Sequence, residues 1–292
     1  MEENPRFARR LHIALVAAVA FSLSYGLLIV VQQKVVRGTL NPFHFNFLAY
    51  VIASIAILVY VALFDRSALK IRSLSGVGLG SLSAVVGTTA DMLVLFGLQH
   101  SSSINYSILS RLSVIITFVL AVIFLKEKIN LSKLSAIFIS IVGALLVVYR
   151  PHLSFLPASG DILFLSSVVA FGITNTIQQK ALEVISIAQL TLVRITVGAL
   201  VLSIPVIFFY PLTHITSWGF IVFSAASIIT GITLVNVIIQ KSSASFFAVS
   251  GNLVPVFTAI LAVIFLREPV SILQVAGGVL VIVSIFLFHF RR

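Results

Sequence analysis

Apolar runs as long as a bilayer is thick recur along almost the whole chain. A hydrocarbon core of about 30 Å takes about 20 residues of helix to cross. The runs here are long and continuous, whereas barrel strands show short alternating stretches. They predict ten spans, roughly Leu11–Gln33, Phe43–Phe64, Leu74–Leu98, Ser102–Leu125, Leu131–Tyr149, Ile162–Gln178, Ile187–Tyr210, Trp218–Ile239, Ser243–Leu266 and Ile272–Phe290. Proline at residue 42 suits the first turn of the second helix. The connections are short, which leaves no room for a soluble domain. Only 9% of the 292 residues are charged, against about 25% in soluble domains. The chain therefore reads as an all-α membrane protein whose bulk partner is the lipid bilayer.

The formal net charge of +11 does not call for nucleic acid. With the N-terminus in the cytoplasm, thirteen Lys and Arg fall on that side, four on the other and two (Arg111 and Arg194) inside spans, accounting for all 19. That asymmetry is what membrane insertion selects. It places both termini in the cytoplasm, and a plasma or inner membrane is the expected location. The basic, then apolar N-terminus resembles a signal sequence, but the following spans make it a retained first helix. There is no cysteine, so disulfides and thiolate metal sites are excluded.

A short stretch occurs twice. Leu120 to Glu127 reads LAVIFLKE and Leu261 to Glu268 reads LAVIFLRE, an offset of 141 residues. At that offset Gln99-His100-Ser101-Ser102 meets Gln240-Lys241-Ser242-Ser243, Leu112 meets Leu253 and Thr117 meets Thr258. The first helices match at an offset of 146, where Tyr25-Gly26 meets Phe171-Gly172 and Gln32-Gln33-Lys34 meets Gln178-Gln179-Lys180. The chain thus divides into two five-helix repeats, 11–149 and 160–290. An odd number of spans per repeat inserts the second copy upside down. Inverted repeats give a transporter two conformations, one open to each side.

At this point the chain resembles the EamA-type drug/metabolite transporters. The resemblance covers nearly the whole chain and rests on the ten spans, the two halves and the doubled helix ending. The ninth span (Asn252-Leu253-Val254-Pro255-Val256-Phe257-Thr258, then Glu268) is similar to the family's most recognisable motif. The fourth span departs from it: Val114 stands where the proline is expected, and Arg111 is unusual. The resemblance implies a substrate cavity between the halves, moved by alternating access. It leaves the substrate open, since members carry amino acids, other metabolites, nucleotide sugars or drugs.

A charge at mid-membrane costs about 2.5–3.5 kcal/mol on insertion scales, so each needs a reason. Asp91 and Arg111 lie equidistant in sequence from the turn at residue 101. At about 1.5 Å per residue both sit about 15 Å from that turn, near the midplane, and are expected to pair. Either the pair only fixes two helices, or Arg111 presents its guanidinium to a carboxylate or phosphate while Asp91 orients it. A proton-titrating Asp91 is disfavoured by such a neighbour. Ser103, Ser107 and Arg111 share a stripe whose repeat partners are Ala244, Ala248 and Asn252. Small residues there either let helices approach closely or leave room for a ligand.

Asn105 and Tyr106 near Arg111, Asn175 and Gln179 with Gly172 on the sixth span, Asn236 with Gln240 on the eighth, and the matched aromatics Tyr25 and Phe171 complete the candidate substrate-binding set. Each also has a packing or interhelical reading. Arg194 is expected to snorkel to the cytoplasmic interface, and Lys34 and Lys180 to anchor helix ends. Glu127 and Glu268 are expected to cap the helices that follow them, or to make a gating contact with a basic residue.

Enzyme motifs are absent: no nucleotide-binding glycine loop, no HExxH and no supported Ser/His/Asp spacing. His44, His100, His152 and His214 are dispersed. The expectation is a transporter, not an enzyme, with no cofactor. It is expected to move a small polar or amphipathic metabolite that bears an anionic group, as a monomer or homodimer. The alternatives are a flippase for a lipid-linked substrate and a nucleotide-sugar-type exchanger.

Overall fold

The structure is a computed structural model that describes residues 5–36, 41–128, 130–149, 158–210, 218–266 and 271–290. Among these the chain is helical, with no strand. In order come α1 (Pro5–Val36), α2 (Pro42–Phe64), a short 3-10 turn (Arg66–Leu69), α3 (Leu74–His100), α4 (Ser103–Leu109), α5 (Leu112–Leu125) and α6 (Leu131–Val148). Then follow α7 (Asp161–Ala181), α8 (Ile187–Phe208), α9 (Trp218–Lys241), α10 (Ala244–Ser250), α11 (Leu253–Leu266) and α12 (Ile272–Phe290). Eight helical segments of the described chain are long and apolar enough to cross a membrane, and Ala244–Phe257 and Ile272–Phe288 are shorter apolar helices.

Helix starts follow local chemistry. Seven begin at a side chain that accepts a backbone N–H of the first turn: Asn41, Ser73, Ser102, Asn130, Ser186, Ser243 and Ser271. Such caps contribute about 1 kcal/mol each. Pro42 occupies the first turn of α2, where its missing N–H costs nothing. The doubled stretch ends α5 with Lys126 in the left-handed region (φ 54°), its N–H returning to the Ala121 carbonyl. Its second copy, from Leu261 onward, lies among residues whose side chains, or whole placement beyond Leu266, are outside the description.

The fourth and ninth predicted spans are each broken, and at equivalent places. Adding 141 to the bounds of α4 and α5 gives the bounds of α10 and α11. At both breaks the backbone switches from i+4 to i+3 hydrogen bonds. Arg111 N–H goes to Ile108 O at 3.2 Å and Ser113 N–H to Ser110 O at 3.1 Å. Asn252 N–H goes to Val249 O at 3.2 Å and Val254 N–H to Gly251 O at 3.1 Å. Tightening by one 3-10 step leaves carbonyls without their usual partner. In the second copy the cause is local: the donor due at Gly251 O belongs to Pro255, which has no N–H.

Packing couples the first half of the chain to the second. The most extensive interfaces are α6 with α12, α3 with α7, α1 with α9, α2 with α8 and α5 with α7, and α1 also packs on α11. Exchanging each helix for its counterpart in the other half maps α1–α9 onto α7–α3 and α5–α7 onto α11–α1. The pairs α2–α8 and α6–α12 map onto themselves. At the α6–α12 crossing, Gly143 and Gly277 bring the two backbones together: a Cβ on Gly277 lies 2.5 Å from Gly143 O. The outward surface is strongly apolar. Leu63, Phe64, Phe138, Ile162, Leu200 and Phe208 are each more than 60% exposed, a surface that only lipid covers without penalty. The protein is a multi-pass membrane protein.

Candidate functional site

Between the helices lies a partly open cavity of about 580 Å³ lined by residues from both halves. Eight of the candidate residues line it: Tyr25, Asp91, Tyr106, Ser107, Arg111, Phe171, Asn175 and Asn252. Three do not. Asn105 is buried at the start of α4, where Nδ2 donates to both carboxylate oxygens of Asp161 at 3.0 Å. Asn236 is fully buried between helices, accepting from Gln178 Nε2 at 2.8 Å and donating to Thr191 Oγ1 at 3.0 Å. Gln179 Oε1 accepts the Ala244 N–H at 2.6 Å and so satisfies the first turn of α10.

The expected ion pair between Asp91 and Arg111 does not form. Arg111 lies at the break between α4 and α5 and reaches across to the matching break between α10 and α11. Its Nη1 donates to Asn252 Oδ1 at 2.8 Å and, at the limit of hydrogen bonding, to Gly251 O at 3.5 Å. Its Nε donates to the Ser107 carbonyl at 3.0 Å and its Nη2 to Ser110 Oγ at 2.8 Å. The two carbonyls are accessible because the helices are broken there. A guanidinium that finds carbonyl and amide acceptors on its own and the facing helix needs no carboxylate to be held. Asn252 in turn donates to Ser140 Oγ of α6 at 3.1 Å.

Asp91 faces a different group. Its Oδ2 accepts the Tyr50 hydroxyl at 2.6 Å, and the cation beside it is Arg194 of α8. The expected snorkelling of Arg194 is also corrected: the side chain is only 7% exposed and lines the cavity. A residue about two turns into a span is too deep to reach the interface while its helix packs inward. Gly87 makes the space, since a Cβ there lies 2.6 Å from Arg194 Nη2. Arg194, Tyr50, Gln178 and Thr174 are thus lining residues that the candidate set lacked. The available signal was that Arg194 and Arg111 are the two basic residues inside predicted spans.

The rest of the wall is aromatic and apolar. Phe21 stacks on Tyr25 with ring centroids 5.2 Å apart, and Phe247 meets Phe21 edge-on, also at 5.2 Å. The Tyr25 and Tyr106 hydroxyls lie 3.1 Å apart. Thr174 Oγ1 and Gln178 Oε1 have no partner among the described residues. The cavity therefore offers an aromatic body-sized surface together with two guanidinium groups and one carboxylate.

Two acids tie the halves together away from the cavity. Glu127 does not cap α6, whose cap is Asn130. Its carboxylate pairs with Lys133 Nζ at 2.7 Å and accepts from Ser245 Oγ at 2.5 Å and Ser243 Oγ at 3.4 Å, at the start of α10. The basic partner is thus within its own half, and the contact across halves is to serines. Asp161 at the start of α7 accepts from Ser101 Oγ at 2.6 Å, from Asn105 and from the Ala158 N–H at 2.9 Å. Lys180 is exposed at the end of α7 beside Glu183, 3.8 Å away. Glu268 and Lys34 lie outside the described side chains.

Comparison with known proteins agrees with this architecture. A solved structure titled "Crystal structure of protein" superposes with a TM-score of 0.76 over 97% of both chains at 13% identity, a likeness of fold. The chain is 25% identical to the uncharacterized transporter YyaM of Bacillus subtilis over 239 residues, 78% of this chain and 77% of that one. It is 24% identical to an uncharacterized transporter of Methanothermobacter thermautotrophicus over 221 residues, 72% of this chain and 64% of that one. A WAT1-related protein of Arabidopsis thaliana is 32% identical over 120 residues, 37% of this chain. The model of the EamA-like transporter family matches residues 12–149 and again 158–290, and the chain belongs to that family.

Proposed function

We propose that the protein moves a small amphipathic organic solute bearing an anionic group, by alternating access through the central cavity. The reading takes the chain as ten spans in two inverted five-helix repeats, with both termini cytoplasmic. The observation that carries it is the lining itself: two buried guanidinium groups and one carboxylate in an aromatic-walled cavity of about 580 Å³ between the halves. Cations buried in a low-dielectric interior are costly unless they meet anions or acceptors, and a transported anion meets that need. The excess of one positive charge favours anions over cations at the same body size.

The broken fourth helix of each repeat supports the same reading. Discontinuous helices near the midplane are where transporters of this architecture place substrate and coupling groups. Here Arg111 at one break takes up the Ser107 carbonyl of its own segment and reaches the Gly251 carbonyl at the other, and the exchange symmetry of the helix pairing is what two related ways of closing the bundle require. Uptake into proteoliposomes tests the reading with phenyllactate and phenethylamine, which share an aromatic body and differ in charge. Saturable uptake of the acid, absent from protein-free vesicles, is expected. Uptake of the amine alone sinks it.

A further inference from the structure

We infer that Arg194, rather than Arg111, is the residue that coordinates the anionic group of the transported solute. The inference rests on the organic-anion reading and names the residue that makes the contact. It starts from what each guanidinium already touches.

An arginine has five N–H donors in a fixed fork. Those of Arg111 are largely committed. Ser107 O takes Nε, Asn252 Oδ1 and Gly251 O take Nη1, and Ser110 Oγ takes Nη2. A substrate that bound Arg111 with two parallel bonds has to displace protein acceptors first. It also has to break the bridge between the two helix breaks.

Arg194 differs on every count. Among the described residues its Nε is buried without a partner and its fork makes no hydrogen bond or ion pair. Yet the side chain is 7% exposed and opens on the cavity. A buried donor without a partner costs about 1–3 kcal/mol, more when charged. Water or a ligand therefore completes it. Asp91 is near enough to influence it but is not within ion-pair distance, and its Oδ2 is occupied by Tyr50. Asp91 therefore offsets the charge of Arg194 without filling its fork. Planar, two-point recognition of a carboxylate or similar oxyanion is what an open guanidinium fork does best. Gly87 lies beside that fork: a Cβ there falls 2.6 Å from Nη2, so the guanidinium tip has to shift.

The test is binding to the purified full-length protein in detergent, with phenyllactate and its uncharged amide as probes. The readout is the ratio of the two Kd values, which a purely structural role does not move. Wild type is expected to prefer the acid. Arg194→Gln is expected to bring the ratio close to one, through a rise in the Kd of the acid of about tenfold or more, equivalent to about 1.4 kcal/mol. Arg194→Lys recovers part of the preference. Gly87→Ala keeps the arginine but displaces its tip, and is expected to reduce the ratio as well; it carries the test if Arg194→Gln does not fold. Arg111→Gln removes the excess positive charge of the cavity but leaves the Arg194 fork in place, and is expected to lower the ratio less than Arg194→Gln does. An Arg194→Gln protein with a wild-type ratio overturns the assignment, as does a protein set in which Arg111→Gln lowers the ratio more than Arg194→Gln, or, where Arg194→Gln does not fold, one in which both Arg194→Lys and Gly87→Ala keep the wild-type ratio. A wild-type protein with no preference for the acid sinks the organic-anion reading itself, and the assignment with it.

Discussion

Arg111 Nη1 donates to Asn252 Oδ1 at 2.8 Å, and the two residues are each other's counterparts at the 141-residue offset. The bond joins one helix break to its copy. It is an asymmetric contact across an approximate exchange axis, made possible because the two positions carry different residues. Removing one partner of a buried charged hydrogen bond costs more than the bond's net worth, since the other partner is left unsatisfied.

The first prediction follows from that bond. Asn252→Ala leaves Arg111 Nη1 with only the 3.5 Å contact to Gly251 O. The midpoint of thermal unfolding in detergent is expected to fall, by a destabilisation of about 1.5–3 kcal/mol. Arg111→Ala is expected to do the same or worse. The double variant is expected to be less stable than Arg111→Ala alone only by what the Asn252–Ser140 bond contributes, so that the two losses fall short of additive. Additive losses in that cycle would show that the two residues act separately.

How much of this was legible in the sequence depends on what kind of residue carried it. The helices were readable because apolar length is a one-dimensional property. The break in the fourth span was not, since no proline marks it; only Pro255 in the copy hints at it. The partner of Arg111 was misread for a physical reason. Equal depth in a hairpin places Asp91 and Arg111 at one level, but not on facing sides of their helices. Once the helix breaks free carbonyls, Arg111 has nearer acceptors. The relation of Arg111 to Asn252 was present in the repeat alignment, though repeat counterparts do not in general touch. Arg194 was misassigned because its depth, about two turns, is compatible with snorkelling until packing fixes the direction of the side chain. Gln179 and Asn236 look like lining residues by stripe, and were taken up by backbone and interhelical bonds.

The second prediction concerns Glu127. Its cluster joins the start of α10 to the start of α6, which in the proposed orientation is the cytoplasmic side, where a contact between the halves would restrict access to the cavity. Glu127→Ala removes the bonds to Ser243 and Ser245 together with the Lys133 pair. The chain contains no cysteine, so a single Val235→Cys in the cavity wall reports access without background. An impermeant maleimide applied from the cytoplasmic side is expected to label that cysteine several-fold faster when Glu127→Ala is added. Lys133→Ala is expected to give a smaller increase, because the serine contacts remain. Equal labelling rates in all three proteins would remove Glu127 from any role in closure.

A third prediction concerns Asp161, whose carboxylate gathers the α3–α4 turn onto the start of α7. Asp161→Asn replaces an acceptor-only group by one that presents N–H donors to Ser101 and Asn105. One of the two contacts from Asn105 Nδ2 is then lost, and the charge that strengthened the rest goes with it. A destabilisation of about 1.5–3 kcal/mol is expected. Asn105→Asp is expected to be worse, since it sets two carboxylates against each other in a buried site. Pairing it with Asp161→Asn restores a donor and an acceptor at similar places and should recover part of the loss. Absence of that recovery in thermal melts would mean that the backbone turn, not the side-chain network, holds the segment.

The fourth prediction uses two adjacent glycines of α12 as an internal control. A Cβ on Gly277 falls 2.5 Å from Gly143 O, 2.8 Å from Leu146 Cβ and 2.8 Å from Val147 N. Those are backbone and Cβ atoms of α6, which cannot turn aside as a flexible side-chain tip can. Gly277→Ala must therefore push α6 and α12 apart along an extensive interface. Overpacking of this kind costs about 1–3 kcal/mol. A Cβ on Gly278 has a nearest contact of 3.6 Å, to Val256 Cγ1, which is ordinary packing. Gly278→Ala is expected to be neutral or to stabilise by up to about 1 kcal/mol, the difference in helix propensity. The two variants differ by one residue position and by no other chemistry, so a lower unfolding midpoint for Gly277→Ala than for Gly278→Ala isolates the helix contact. Equal midpoints would show that α6 and α12 are not held in backbone contact at Gly143 and Gly277.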